Sequence, residues 1–206
     1  MTASHLDNQY FSYRAAKLIT ELFAPVPSGL VVVAFVAWHF APTRSGAVRD
    51  AVFGILLALL LPFGYLLRQV RKGHVTDHHV GLRTQRPRIL LVFFLGVLVT
   101  LVVLLAVGSP PELIALIGAS LVGLVVALTI TFFWKISIHA GVAAGITTIF
   151  VILFGAWMLL MALLVLAVGW ARVRLGDHTA MQVAAGTFIG ALVSGIAFTV
   201  FMIALP

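Results

Sequence analysis

The chain has no cysteine among its 206 residues. Disulfides and thiolate metal sites are therefore unavailable to it. Charge is scarce as well: 9% of residues are Asp, Glu, Lys or Arg, against about a quarter in a soluble domain. Too little polar surface remains to cover a soluble body. The alternation of apolar and polar residues that marks an outer-membrane barrel is missing too. The first thirteen residues are polar and mixed. They lack the basic start, short apolar core and small-residue cleavage site of a signal peptide, so the first membrane helix is expected to direct insertion itself.

What the chain has is long apolar runs. The stretches 22–40, 51–67, 89–107, 113–133 and 183–205 each approach or exceed the length of helix that crosses hydrocarbon, about 20 residues. Pro25 and Pro27 stand near the start of the first, where missing backbone donors cost least. Pro62 lies inside the second and predicts a kink. Gly108-Ser109-Pro110-Pro111-Glu112 predicts a tight turn between the third and fourth. The stretch 142–170 is apolar throughout, and as one helix it would reach about 43 Å. It is either a strongly tilted helix or two short ones turning near Phe154-Gly155-Ala156-Trp157. Gly186, Gly190 and Gly195 in the last stretch permit close helix contact. The expected fold is all-α: a polytopic transmembrane bundle of six or seven helices, with residues 1–206 as one membrane domain.

Charge sidedness favours the hairpin over the single helix. With a turn near Gly155, the N-terminus and the segments 68–88, 135–141 and 171–182 share one side. That side then holds every Lys and Arg except Arg44 and Arg49. Retention of positive charge places it in the cytoplasm, and the expected location is a bacterial cell membrane. The net charge of +7 is explained by these loops and by anionic headgroups, so no nucleic-acid partner is expected. His74, His78 and His79 come without a matching carboxylate cluster, so no metal is expected. Trp38, Trp134, Trp157 and Trp170 suit interfaces or packing.

Three polar segments carry the chemistry. They are Gly81-Leu82-Arg83-Thr84-Gln85-Arg86-Pro87, then Lys135-Ile136-Ser137-Ile138-His139-Ala140-Gly141, then Ala171-Arg172-Val173-Arg174-Leu175-Gly176-Asp177-His178. Each sets Arg or Lys with hydroxyl or imidazole groups at the start of an apolar helix, where unpaired N–H groups favour anions. Guanidinium forks add bidentate contacts to phosphate. His139 and His178 offer two imidazoles, one a possible nucleophile and one a possible acid.

In order and sidedness these segments resemble the type 2 phosphatidic acid phosphatase superfamily, which includes lipid phosphatases and vanadium haloperoxidases. Arg86-Pro87 matches the Arg-Pro pair of its first motif. Ser137 and His139 match the Ser and His of its second, and Arg172 and His178 match the Arg and His of its third. The resemblance covers about residues 68–200. His79 stands at the position of the first motif's lysine, and Arg83 could supply its charge. Ile136 and Ile138 replace Pro and Gly, Ala171 replaces Ser, and Gln182 replaces the family's Asp.

The resemblance implies hydrolysis of a lipid phosphate or a polyprenyl phosphate or diphosphate. His178 would attack phosphorus to give a phosphohistidine, and His139 would protonate the leaving oxygen. Gln182 would orient the His178 ring. Arg172, Arg86, Arg83, Lys135, Ser137 and His79 would bind the phosphate. No metal or organic cofactor is implied, and the partners expected are the substrate and the surrounding lipid. The alternative is a non-catalytic phospholipid-binding or assembly protein, favoured by Gln182. A transporter is disfavoured because the spans hold almost no charge.

Overall fold

The computed structural model describes residues 3–205, with side chains from Tyr10 onward. The described residues form nine α-helices and no strand. In chain order these are α1 (Ala3–Leu22), α2 (Pro25–Phe40), α3 (Arg44–Ile55), α4 (Leu61–Arg71), α5 (Arg86–Ala106), α6 (Pro111–Phe133), α7 (Ile138–Phe154), α8 (Ala162–Arg174) and α9 (Ala180–Ala204). Among the described residues, five continuous helical stretches are long and apolar enough to cross a membrane, or six if the bent pair Tyr10–Leu22 and Pro25–Phe40 is one span. This is the build of a multi-pass membrane protein.

The helix starts follow local chemistry. The segment 44–49, which lies between the apolar runs 22–40 and 51–67 and carries Arg44, Gly46 and Arg49, is helical because Thr43 caps α3: its Oγ1 accepts the Gly46 N–H at 3.1 Å. Pro111 occupies the first turn of α6, where its missing donor is harmless. Gly108 turns the chain before it at φ 67°, a left-handed conformation that suits glycine. The kink expected at Pro62 is a π-helical turn, Leu56–Leu60, in which the Leu61 N–H reaches back to the Leu56 carbonyl. Pro62 has no N–H, and its ring crowds the preceding turn; widening that turn relieves the clash.

Contacts divide the chain into two compact units, Met1–Ser28 with Ile136–Leu192, and Gly29–Lys135 with Val193–Pro206. In the first, α8 packs on α1 and on α7. The chain breaks at Gly155, φ 94°, passes through a 3₁₀ segment at Ala156–Met161, and returns along α7 as α8. Ala143 and Ala144 of α7 meet Val165 and Val168 of α8, with Ile19 of α1 and Phe23 just beyond its end against them. Residues 144 and 165 lie almost equally far from Gly155, as in an antiparallel pair. The stretch 142–170 is thus the hairpin that charge sidedness favoured. The start of α9 crosses α7 at glycines: a Cβ on Gly186 would strike the Ser137 carbonyl, and one on Gly190 the Gly141 carbonyl.

In the second unit α5 packs on α3, α4, α6 and the π turn. A Cβ on Gly96 would lie 2.6 Å from the Leu57 carbonyl oxygen and 2.7 Å from Pro62 Cγ. Only a hydrogen there lets α5 lie so close. At one end of this unit, 72–82 forms an ordered loop around Asp77. Its carboxylate accepts from the His79 N–H at 2.8 Å, the Thr76 hydroxyl at 3.0 Å and the Gly81 N–H at 3.2 Å. Val80 is held at φ 50°, a conformation that a β-branched residue rarely adopts. Its side chain is buried with Leu66, Val75 and Ile89. Its carbonyl accepts from Arg86 Nε at 3.0 Å.

Burial alone would push the Asp77 carboxyl up, but the bonds from Gly81, Thr76 and His79 and the nearby His79 charge outweigh it and hold its pKa below the ordinary 3.8. A depressed carboxylate stabilises the loop above its ordinary value, and that stabilisation is lost as pH falls through the lower folded value. The amide resonances of His79 and Gly81 are expected to shift together in that acidic window. In Asp77→Asn they should show no such titration. A joint titration that survives in Asp77→Asn would show that Asp77 does not organise the loop.

Candidate functional site

The first unit assembles five of the residues singled out in the sequence. Helix α8 ends in a Schellman turn. The Gly176 N–H bonds the Val173 carbonyl at 3.0 Å and the Asp177 N–H bonds the Arg172 carbonyl at 3.2 Å, with Gly176 at φ 74°. The His178 N–H adds a second bond to the Arg172 carbonyl at 3.3 Å. The five residues between Arg172 and His178 are thus one helix exit, folded back on its own last turn. Arg172 is 1% exposed, and its Nη1 lies 3.2 Å from Asp177 Oδ2. Its side chain is almost wholly enclosed while that of Asp177 is 37% exposed, so the carboxylate is the partner within reach of solvent.

His178 is buried, and its Nδ1 lies 3.1 Å from Gln182 Oε1. The same Oε1 accepts the Thr179 N–H at 3.3 Å, and Thr179 Oγ1 accepts the Gln182 N–H at 3.3 Å. This reciprocal pair is a capping box at the start of α9. Because Oε1 accepts from the backbone it is the amide oxygen, so Nδ1 of His178 must carry a proton to bond it. In the neutral ring the lone pair then sits on Nε2. Gln182 therefore caps α9 and sets the histidine tautomer with one atom.

The second segment lies against the third. The Ser137 N–H bonds the Gln182 carbonyl at 3.1 Å, and the Gly186 contact presses α9 onto the Ser137 backbone. Ser137 is fully buried and caps α7, its Oγ accepting the Ala140 N–H at 3.4 Å. His139, buried in the first turn of α7, follows two residues later. Two buried imidazoles, a buried guanidinium and two helix N-termini thus share one end of the first unit. Such a set suits an oxyanion, which can take hydrogen bonds from N–H groups and from Arg.

The other expected phosphate ligands, Arg83, Arg86, His79 and Lys135, belong to the second unit. Arg83 Nη1 donates to the Thr131 and Phe132 carbonyls at 2.9 and 2.6 Å, closing the C-terminus of α6, where cations are favoured. Arg86 is buried and holds the Val80 carbonyl. The His79 N–H belongs to the Asp77 loop, and its ring lies 4.0 Å from that of His78, centroid to centroid. Lys135 closes the main segment of that unit, half-buried. Arg83 and Arg86 thus have structural partners that a count of cations could not supply.

Two residues of the site carry signals that motif matching passes over. Thr179, with Gln182 three positions on, spells a capping box ahead of an apolar run, a recognisable signature. Asp177, which is adjacent to His178 and so a poor substitute for a carboxylate at 182, is instead the partner of Arg172. Gly176 after a helix ending in basic residues signals the C-terminal turn that brings it there. No protein-family model, no curated protein and no solved structure matches the chain.

Proposed function

We propose that this chain is a membrane-embedded phosphatase of the type 2 phosphatidic acid phosphatase kind, hydrolysing a lipid or polyprenyl phosphate through a phosphohistidine. The observation that carries the proposal is the 3.1 Å contact between His178 Nδ1 and Gln182 Oε1. It leaves the Nε2 lone pair as the nucleophile, on the same turn as the buried Arg172.

In this mechanism Nε2 attacks phosphorus, and the bond to the lipid oxygen breaks. His139 gives that oxygen a proton, so the alcohol leaves neutral. Arg172 turns from Asp177 to the phosphoryl oxygens and stabilises the charge gathered on them. Water then attacks the phosphohistidine, His139 takes its proton, and inorganic phosphate leaves with His178 restored. The acyl or prenyl chain lies in the surrounding hydrocarbon. The site faces the cytoplasm, by the sidedness of the basic segments.

A second reading keeps the anion site without turnover, as a phospholipid-binding or assembly protein. The Arg172–Asp177 pair favours it, because a carboxylate already answers the buried charge, as does the lack of charge on Gln182. Purified protein in detergent is the test. Phosphate release from phosphatidic acid, phosphatidylglycerol phosphate or a polyprenyl phosphate supports the phosphatase, as does an acid-labile phosphoryl group trapped on His178. Lipid binding without either outcome selects the second reading.

A further inference from the structure

The second unit carries a charged surface that this mechanism does not use. Arg68 and Arg71 stand in the last turn of α4, Lys72 follows them, and Arg88 stands in the first turn of α5. All four are exposed. Among the described residues none of the four forms an ion pair. Asp77, the one acid in the segment 68–88, is turned inward onto Thr76, His79 and Gly81. Arg88 lies over the Tyr65 ring of α4, 5.9 Å from its centroid, which joins the ends of the two helices in one patch.

Helix dipoles explain only part of this patch. Arg68, Arg71 and Lys72 suit the C-terminus of α4, but Arg88 stands at the positive end of α5, where a cation is disfavoured. An anion bound beside Arg88 would answer both the guanidinium and the helix N-terminus. The depth of the patch says which anion. The stretches Arg44–Arg71 and Arg83–Ala106 are both long and apolar enough to cross a membrane, and both end here, where the end of a spanning helix meets lipid headgroups. The loop between them is prefolded: His74 Nδ1 lies 3.0 Å from Gln69 Oε1, and the Thr76 N–H donates to Gln85 Oε1 at 3.1 Å. The cations are thus presented on a fixed frame.

We propose that Arg68, Arg71, Lys72 and Arg88 form a binding surface for the headgroup phosphates of anionic phospholipid, separate from the His178 site. The whole chain in neutral detergent, titrated with phosphatidylglycerol or phosphatidylcholine, tests it. Phosphatidylglycerol is expected to raise the thermal unfolding midpoint, phosphatidylcholine is not, and added salt should diminish the gain. Each cation removed should weaken anionic lipid binding by about fivefold. The fourfold glutamine variant, or the exposed pair Arg71→Gln and Lys72→Gln if the former folds poorly, should lose the response, while the matching Arg→Lys changes keep it. His178→Ala should keep it too, so failure of the phosphatase proposal would leave this one standing. Equal gains from phosphatidylcholine or inorganic phosphate would overturn it, as would an unchanged response in the glutamine variants.

Discussion

Replacing His178 by Ala is expected to abolish phosphate release from a lipid phosphate, because the phosphoryl group then has no acceptor on the protein. The informative series is at position 182. Gln182 Oε1 meets both His178 Nδ1 and the Thr179 N–H, so its length matters. Glu keeps that reach, retains the capping box, and adds a negative charge beside the imidazolium formed during attack. Gln182→Glu is therefore expected to raise turnover and to favour the protonated ring. In the Ser-His-Asp template, an amide in place of the carboxylate costs about ten-thousandfold, which bounds the possible gain.

Gln182→Asp should also raise turnover, by less, since its shorter chain strains the cap. Gln182→Ala should lower it and cost up to about 1 kcal/mol of stability, because the Thr179 N–H loses its side-chain acceptor while the Thr179 cap on the Gln182 N–H remains. Rates and melting midpoints for the series separate the two duties of this residue. If all three variants match the parent and His178→Ala leaves release unchanged, the mechanism is wrong.

Gly190→Val is expected to destabilise the protein more than any of the substitutions at position 182. The added atoms would meet the Gly141 backbone, which cannot rotate aside as a side chain can. Overpacking typically costs about 1–3 kcal/mol, and an obstacle made of backbone puts this case at the upper end. Gly186→Ala acts one turn away on the Ser137 carbonyl and should loosen the Ser137–Gln182 bond, lowering activity as well as stability. Gly123→Ala is the control. A Cβ there meets nothing within 4 Å, and alanine is a better helix former by about 1 kcal/mol. Thermal unfolding followed by circular dichroism ranks the three. A Gly190→Val protein that melts with the parent would show that the α7–α9 crossing is not tight.

The long helices were legible because the bilayer imposes a length and a composition that a run such as 113–133 displays directly. The hairpin at Gly155 was legible through charge, since the sequence rule that gathers basic residues on one side of a membrane calls for a turn within 142–170. The start of α3 at Arg44 was not. Arginine and glycine in 41–49 suggest a loop, whereas the Thr43 cap decides the matter with one hydrogen bond.

Within the site, the resemblance to the phosphatase superfamily pointed to Arg172, His178 and Gln182, but not to what they do to one another. Spacing along a chain fixes which residues share a turn, and hydrophobicity fixes which segments leave water; both are local properties, and the sequence alone determined them. Partnership depends on where the backbone turns back. The Schellman exit gives Asp177 to Arg172, and the glycine crossing lays Ser137 on Gln182. A hydrogen bond from Arg86 and a buried side chain hold Val80 in a conformation that its own sterics oppose. Each of these rests on directional contacts over a few ångströms between residues whose approach is set by packing, so only the tertiary structure decided them.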